Sequence, residues 1–286
     1  MRVCAILSVA AAVGLALAGV LGVTPARAQE HASAWSTGKS ETKARLVAGI
    51  ASGRLIAAVE IKLAEGWKTY WRAPGDGGGV PPSFNWDKSS NLASATVLYP
   101  VPTRFADKAG DTLGYKGSVV FPVDVTAVDA SKPVGLALAL DYGICRDVCV
   151  PVDAELTLDI AAGVAHPVPA EVTAALDRVA RHGSAIRATD PRLTRTAFVL
   201  EGPHPSITVE AQFPGGTARA AAFIENLDGS YMPLTKPETT TSLGDDTLRF
   251  VIDLTGAVDP VEIRGKPVKV TLVSEHGLSE AIFKLE

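Results

Sequence analysis

The chain has 286 residues, of which 47% are hydrophobic and 20% charged, and its formal net charge is −4 at pH 7. A negative chain without a basic run is not suited to binding nucleic acid or an anionic membrane surface. After Val23 no apolar segment approaches the roughly 18 residues that span a bilayer, so we expect a soluble mature protein. The length suits one large domain or two ordinary ones, and we expect two.

Residues 1–28 have the pattern of a secretory signal peptide. Arg2 provides a positive charge, residues 5–23 are apolar, and Ala26-Arg27-Ala28 is a small-x-small cleavage site before Gln29. An uncleaved membrane anchor is the alternative. We therefore predict an exported protein whose mature chain begins at Gln29.

The first part of the mature chain is predicted to be a loose arm followed by strands. Residues 29–42 have little apolar content, which is typical of a mobile terminus. After Ser52-Gly53, apolar and polar residues alternate as far as Leu63, with Glu60 and Lys62 on the polar side. This pattern predicts a strand that covers one side of a sandwich core. The aromatic residues of segment 66–71 are predicted to lie in a second core strand.

The next segment is rich in glycine and proline. Residues 72–82 cannot form regular structure, and no lysine pattern or helix follows that would make the glycines a phosphate-binding loop. We predict short strands at residues 84–86, 93–99 and 119–128. Between the last two, residues 104–115 are polar and rich in turn formers, so no strand is predicted there.

Two long strands are predicted around the only close pair of cysteines. Alternate apolar residues in segments 134–144 and 154–160 indicate two strands, and three residues separate Cys145 from Cys149. Such a connection is a common hairpin length and places the two cysteines opposite each other. In a single straight strand they would be about 13 Å apart, too far for a disulfide. Removal of the signal peptide also removes Cys4 and leaves no unpaired thiol.

The cysteine pair has three possible roles, two of them as a disulfide. A disulfide here closes a loop of roughly five residues and so contributes only about 2 kcal/mol to stability in the chain-entropy model. A small-loop disulfide at an exposed turn is also open to attack by a thiolate, which favours a bond that is made and broken. An inert structural disulfide and a metal site remain as alternatives.

The second half of the chain contains a short helix and then more strands. Val172, Leu176 and Val179 form a helical stripe in segment 167–183, which ends at Gly183. Beyond Pro191 apolar and polar residues alternate again, which predicts further strands. This part of the sequence has no cysteine and no grouped histidines. The predicted fold is therefore all-β, with two immunoglobulin-like β-sandwiches joined by a short helix. The predicted domains are a signal peptide at 1–28, a sandwich at 29–163, a helical linker at 164–190 and a smaller sandwich at 191–286.

An ordered set of motifs resembles a known family. The motifs are Gly66-Trp67-x-x-Tyr70-Trp71-Arg72-x-Pro74-Gly75-Asp76, Pro81-Pro82, Asn85-Trp86, Tyr99-Pro100-x-Pro102-x-Arg104-Phe105, Gly114-Tyr115 and Asp141-Tyr142-x-x-Cys145-x-x-x-Cys149-x-Pro151. Together they resemble the N-terminal periplasmic domain of the thiol:disulfide interchange protein DsbD. The closest likeness is to the variant of that domain in the copper-sensitivity suppressor ScsB. The resemblance covers roughly residues 45–160, and the second half looks like a continuation of the same periplasmic region.

This resemblance implies a periplasmic protein-disulfide reductase component with Cys145 and Cys149 as its catalytic pair. The pair would receive electrons from a separate membrane donor and pass them to periplasmic thioredoxin-fold partners. No cofactor, small-molecule substrate or nucleic acid is expected. The family has a cap loop over the cysteines, and the motif order places it at residues 111–115, with Leu113 and Tyr115 as the covering side chains.

The sequence departs from the family in two respects. The best-known members have five residues between their cysteines, whereas this chain has three. They are also fused to a membrane-embedded domain and a thioredoxin-like domain, which this sequence does not contain. Which cysteine attacks is left open, because Arg146 favours the Cys145 thiolate and Asp147 opposes it.

Two other functions stay open at this stage. One is a binding or assembly module whose disulfide is inert, and the other is a copper-binding module. For copper the sequence offers two thiolates, few histidines and Met232 as the single methionine of the mature chain. We therefore predict no metal ligands.

Overall fold

A computed structural model of the chain describes residues 31–38, 41–107, 110–236 and 239–285. The predicted signal peptide and Gln29 lie outside these residues. Within them the chain consists mainly of antiparallel strands in four sheets, which confirms the all-β, immunoglobulin-like fold class. The same part of the chain has no helix with the length and apolar character of a membrane span.

The first sandwich has two facing sheets. Its strands are β1 Lys43–Ala51, β2 Arg54–Lys62, β3 Lys68–Tyr70, β4 Ser83–Asn85, β5 Leu92–Val97, β6 Thr103–Phe105, β7 Thr112–Lys116, β8 Ser118–Ala127, β9 Val134–Cys145 and β10 Cys149–Ile160. One sheet has the order β1-β2-β8-β5, and the other has the order β10-β9-β3-β7-β6, with β4 paired to β9. Leucines 136, 138 and 140 of β9 are buried between the sheets, as their alternation predicts.

The β1-β2 side of the sandwich is also covered from outside. Helix α1 Ala170–Asp177 and the chain before it place Val168 and Val172 against Val47, Ile56 and Ala58. Strand β2 is therefore buried on both faces, and the prediction of a polar outer face was wrong. The reason is tertiary, because the covering residues lie more than a hundred positions later in the chain.

Glu60 was predicted to lie on the polar side of β2, but the covering helix and chain bury it. Glu60 is buried, and its carboxylate accepts a hydrogen bond of 2.8 Å from Arg45 Nε on the neighbouring strand. Lys62 Nζ lies 3.3 Å from the same carboxylate. A buried charge must be paired, and these two cations supply the pairing.

The described part of the predicted loose arm is ordered by backbone pairing, so this prediction was wrong for residues 31–38. Ser33 N and Ser36 N donate to the carbonyls of Leu46 and Ala44, each at 2.8 Å, and His31 O accepts from Ala48 N. Strand β1 itself was not predicted. Its Ala and Gly residues give a weak strand signal, and its burial depends on partners on both sides.

The second sandwich is smaller and follows the helix. Its strands are β11 Arg192–Val199, β12 Ser206–Gln212, β13 Ala221–Asn226, β14 Thr240–Gly244, β15 Thr247–Asp253, β16 Pro267–Val273 and β17 Leu278–Lys284, with helix α2 Pro260–Ile263 before β16. The sheets have the orders β11-β12-β15-β14 and β13-β16-β17. Their inner faces share a core that includes Val209, Phe213, Phe250 and Val270.

Asp190 connects the segment after helix α1 to the second sandwich. It is 0% exposed, and its carboxylate accepts hydrogen bonds of 2.7 and 2.6 Å from Arg181. The backbone N–H groups of Arg187 and Leu278 also donate to it. Although burial raises the pKa of Asp190, these hydrogen bonds outweigh it, and the pKa lies below the ordinary 3.8.

We predict that Asp190→Ala lowers the free energy of unfolding by about 3 kcal/mol, because it leaves a buried guanidinium and two N–H groups without their acceptor. Urea unfolding measures the change. The control is Glu201→Ala, whose exposed ion pair with Arg264 should be worth less than about 1 kcal/mol. Equal losses in the two variants would contradict the prediction.

The sign of the pH dependence follows from the lowered pKa. A group with a lower pKa in the folded state stabilises the fold above its unfolded-state pKa, and this contribution is lost as the pH falls through the folded-state value. The difference in stability between the wild type and Asp190→Ala should therefore persist at neutral pH and shrink below the ordinary aspartate pKa of 3.8.

Candidate functional site

The hairpin of β9 and β10 brings the two cysteines together at its tip. The strands pair in register from Val134 with Ile160 to Cys145 with Cys149, so the last pair of the ladder is the two cysteines. Their Cα atoms lie 4.1 Å apart and their sulfurs form a disulfide. The predicted hairpin is thus present, with the connection at residues 146–148 that its spacing required.

The tip of the hairpin is open to solvent. Cys149 is exposed, Cys145 is partly exposed, and Val148 between them is 70% exposed. Arg146 lies over the ring of Trp67, and its Nε is 3.1 Å from Asp147 Oδ2. The guanidinium is therefore already paired with a carboxylate, which weakens its electrostatic effect on the Cys145 sulfur.

The hydroxyl of a buried tyrosine contacts the disulfide. The hydroxyl of Tyr70 lies 3.2 Å from Cys149 Sγ, and the side chain is 3% exposed. A disulfide sulfur carries no proton, so the hydroxyl is the donor. Burial, with a smaller contribution from the charge of Asp107, raises the pKa of Tyr70 above its ordinary 10.0, so the hydroxyl keeps its proton at neutral pH.

Tyr70 is held by backbone on two sides. A Cβ on Gly79 would lie 2.2 Å from a ring carbon of Tyr70, so the ring packs directly on the backbone of residue 79. On the other side, Gly143 of β9 leaves room for the ring and for Val80. Val80 O accepts a hydrogen bond of 3.0 Å from Gly143 N, which fixes this segment beside the hairpin.

The strand before Tyr70 fixes the base of the hairpin. Lys68 and Thr69 of β3 pair with Cys145 and Ile144 of β9, and Thr69 Oγ1 donates to Gly143 O at 2.8 Å. Lys68 is buried, with its Nζ 2.9 Å from Thr112 Oγ1 and 3.1 Å from Asp107 Oδ2. The buried Lys68 ammonium group is therefore paired with a carboxylate.

The two predicted cap residues lie in strand β7 and not in a loop. Leu113 and Tyr115 are buried in the core of the first sandwich, and Tyr115 Oη donates to Pro100 O at 2.7 Å. Acting as a mobile cap would require them to leave that core. The side chain that contacts the disulfide is Tyr70, and the cap assignment stays a prediction without support from these contacts.

No group of three or more metal-binding side chains from His, Cys, Asp and Glu occurs in the described ranges.

Fold and site together define a class of protein, an immunoglobulin-like domain with a solvent-accessible disulfide at a hairpin tip. Residues 39–161 match the family model described as thiol:disulfide interchange protein DsbD, N-terminal. Among solved structures, the N-terminal periplasmic domain of ScsB from Proteus mirabilis is similar, with a TM-score of 0.66 and 23% sequence identity. The likeness covers 89% of this chain and 98% of that one, so it includes both sandwiches. No curated protein matches the chain.

Tyr70 is the site residue that the sequence alone did not single out. The sequence pattern predicts that it is a core aromatic, and its burial agrees with that prediction. Its contact with Cys149 depends on the pairing of β3 with β9, two strands separated by more than sixty residues. The available signal was its place in the family motif, Tyr70-Trp71-Arg72.

We predict that Gly79→Ala lowers the free energy of unfolding by about 3 kcal/mol, because the added methyl group clashes with the Tyr70 ring and the backbone has φ +148°. Urea unfolding tests this value. Gly78→Ala is the matched control, because Gly78 also has positive φ but open space around its Cβ position. It should cost about 1 kcal/mol, the strain alone. A cost at Gly79 no greater than at Gly78 would show that the Tyr70 ring is not held there.

Proposed function

We propose that this protein is a periplasmic thiol-disulfide exchange protein that passes electrons through Cys145 and Cys149 to thioredoxin-fold partners. The observation that carries the proposal is the solvent-accessible disulfide at the hairpin tip, with the Tyr70 hydroxyl on Cys149 Sγ. The family match over residues 39–161 and the likeness to a periplasmic ScsB domain support it. The signal peptide that we predict at residues 1–28 also supports the compartment.

The exchange runs in two steps. In the reduced protein a cysteine thiolate attacks one sulfur of the partner's disulfide, and the partner's other sulfur leaves as a thiolate. The second cysteine then attacks the mixed disulfide, which forms the Cys145–Cys149 bond and releases the second partner sulfur. Two electrons pass to the partner, whose thiolates take up the protons that the two cysteines lose. A separate membrane electron donor restores the dithiol, and no cofactor takes part.

We assign the first attack to Cys149. It is the more exposed of the two cysteines, and the Tyr70 hydroxyl is placed to donate a hydrogen bond to its sulfur. A hydrogen bond to the charged form favours the thiolate, which is the reactive species. Arg146 is the cation adjacent to Cys145, and its pairing with Asp147 leaves Cys145 without a comparable advantage. Cys145 then acts as the resolving cysteine.

We predict that reduced Cys145→Ala protein forms a mixed disulfide faster than reduced Cys149→Ala protein. The probe is a single-cysteine thioredoxin activated with thionitrobenzoate, whose release is followed by absorbance. A thiolate advantage of about 1.4 kcal/mol corresponds to about a tenfold difference in rate. Near-equal or reversed rates would overturn the assignment. If neither variant formed the mixed disulfide, the inert structural disulfide would become the better interpretation.

Apolar side chains around the disulfide form a surface suited to a protein partner. Val148 at the hairpin tip and Val80, whose carbonyl accepts from Gly143 N of β9, are 70% and 57% exposed, and the partly buried Trp67 ring lies under Arg146, the residue after Cys145. An exposed apolar patch beside a reactive group indicates docking of a protein rather than access by small molecules alone. We propose that the partner covers these three residues while its sulfur reaches Cys149.

The docking surface leads to a separate prediction, measured in the Cys145→Ala background. Val148→Ser should slow the reaction with activated thioredoxin about tenfold, since a central contact of an interface is worth more than about 1 kcal/mol. The reaction with a small aromatic disulfide should change less than about twofold. Val128→Ser is the control, because Val128 is 72% exposed but follows the far end of β8. An equal effect on both disulfides would argue against docking at Val148.

A further inference from the structure

The segment after Tyr70 connects the disulfide site to the second sandwich. We call residues 71–80 the bridge loop. In its middle, Asp76 Oδ1 accepts hydrogen bonds from Tyr231 Oη at 2.8 Å and from Leu234 N at 3.0 Å. Gly75 packs so closely on Leu234 that a Cβ would lie 2.8 Å from the leucine side chain. This part of the loop is fixed by residues that follow β13.

The first residues of the bridge loop are fixed to the sheet that contains β13 and β17. Trp71 packs edge-on against Phe223 of β13, with ring centroids 5.7 Å apart. Arg72 donates to Glu225 from Nε and Nη2, at 2.9 and 2.6 Å, and from Nη2 to Glu280 at 2.6 Å. These charges are largely shielded from solvent.

The charges of this cluster balance. Lys269 Nζ lies 3.5 Å from Glu280, so Arg72 and Lys269 together neutralise the two carboxylates. Burial lowers the pKa of Arg72, but Glu225 and Glu280 together raise it by more. The pKa therefore lies above its ordinary value. The guanidinium therefore stays charged and keeps the start of the loop on the second sandwich.

The end of the bridge loop returns to the disulfide. Gly79 lies against the Tyr70 ring, and Val80 O accepts from Gly143 N, two residues before Cys145. The same ten residues thus contact the second sandwich at one place and the Tyr70 ring at another.

We infer that Arg72 and Asp76 are positioning residues for exchange, and that the second sandwich uses the bridge loop to hold the Tyr70 hydroxyl on Cys149 Sγ. Neither residue contacts a sulfur in the described structure. Their effect passes through Gly79 and the Tyr70 ring. This inference rests on the proposed role of Cys149 as the attacking thiolate, and it gives the second sandwich a part in the chemistry of the first.

The test uses Asp76→Ala in the reduced Cys145→Ala protein. This change removes the two hydrogen bonds that Asp76 accepts from Tyr231 and Leu234, and it alters neither Tyr70 nor Cys149. Arg72 is less suitable, because its removal leaves two buried carboxylates facing each other. The readout is the rate of alkylation of Cys149 by iodoacetamide between pH 6 and 10. We expect the rate at neutral pH to fall about fivefold, and the pH profile to move upward, because the thiolate loses part of its hydrogen bond.

A double-mutant cycle with Tyr70→Phe separates positioning from general loosening. Tyr70→Phe alone should slow alkylation by about tenfold or less and move the profile in the same direction. If Asp76 acts through Tyr70, Asp76→Ala should have no further effect in the Tyr70→Phe background. Tyr231→Phe, which removes one of the two hydrogen bonds, should give an intermediate rate. Burial, followed by the bond to Asp76, raises the pKa of Tyr231 to about 12, so Tyr231 is a donor throughout this range.

Asp253→Ala is the matched control. Its carboxylate accepts a hydrogen bond from Thr255 N in the second sandwich, away from the bridge loop, and its removal should leave alkylation of Cys149 unchanged. Circular dichroism confirms that each variant is folded. The inference is overturned if Asp76→Ala leaves the profile in place, or if it has the same effect with and without the Tyr70 hydroxyl. These outcomes concern a thiol without a partner, so they are independent of whether a mixed disulfide with thioredoxin forms.

Discussion

The pairing of β9 with β10 is the constraint on which the site and much of the first sandwich depend. Because side chains alternate along a strand, one register places the leucines of β9 in the core and Cys145 opposite Cys149. A slip by one residue would expose the leucines and separate the cysteines. The hydrophobic core therefore selects the register, and the position of the disulfide follows from it.

The fold class could be predicted from the sequence because its strongest elements are local patterns. The alternation in β9, β10, β12, β15 and β16 is regular, and the turns between strands contain glycine, asparagine or aspartate. The errors fall where burial depends on distant partners. Strand β1 needs the chain of residues 31–38 on one side, and the outer face of β2 needs helix α1. No window of local sequence contains that information.

The residues of the candidate site likewise divide into those that local sequence predicts and those that depend on distant strands. The position of the cysteine pair at a hairpin end could be predicted from the sequence, because a short spacing between two strand patterns leaves few geometries for a disulfide. The place of Tyr70 in the site could not, because a buried aromatic in a strand is most often a core residue. For Leu113 and Tyr115, which lie in β7 and pack in the core, the cap role stays a prediction from motif order. Motif order gives sequence position, but it does not give which side of a strand faces a sulfur.

A disulfide in so small a loop suits exchange because its opening changes little else. Its contribution to stability is about 2 kcal/mol in the chain-entropy model. The strand that carries Cys145 is held independently, by Lys68 and Thr69 of β3 and by the bond from Gly143 N to Val80 O. These contacts do not involve the sulfurs, so they persist when the bond between the sulfurs opens. In the exchange that we propose, the pairing of β10 with β9 would then keep Cys149 near the Tyr70 hydroxyl as a thiolate before a partner arrives.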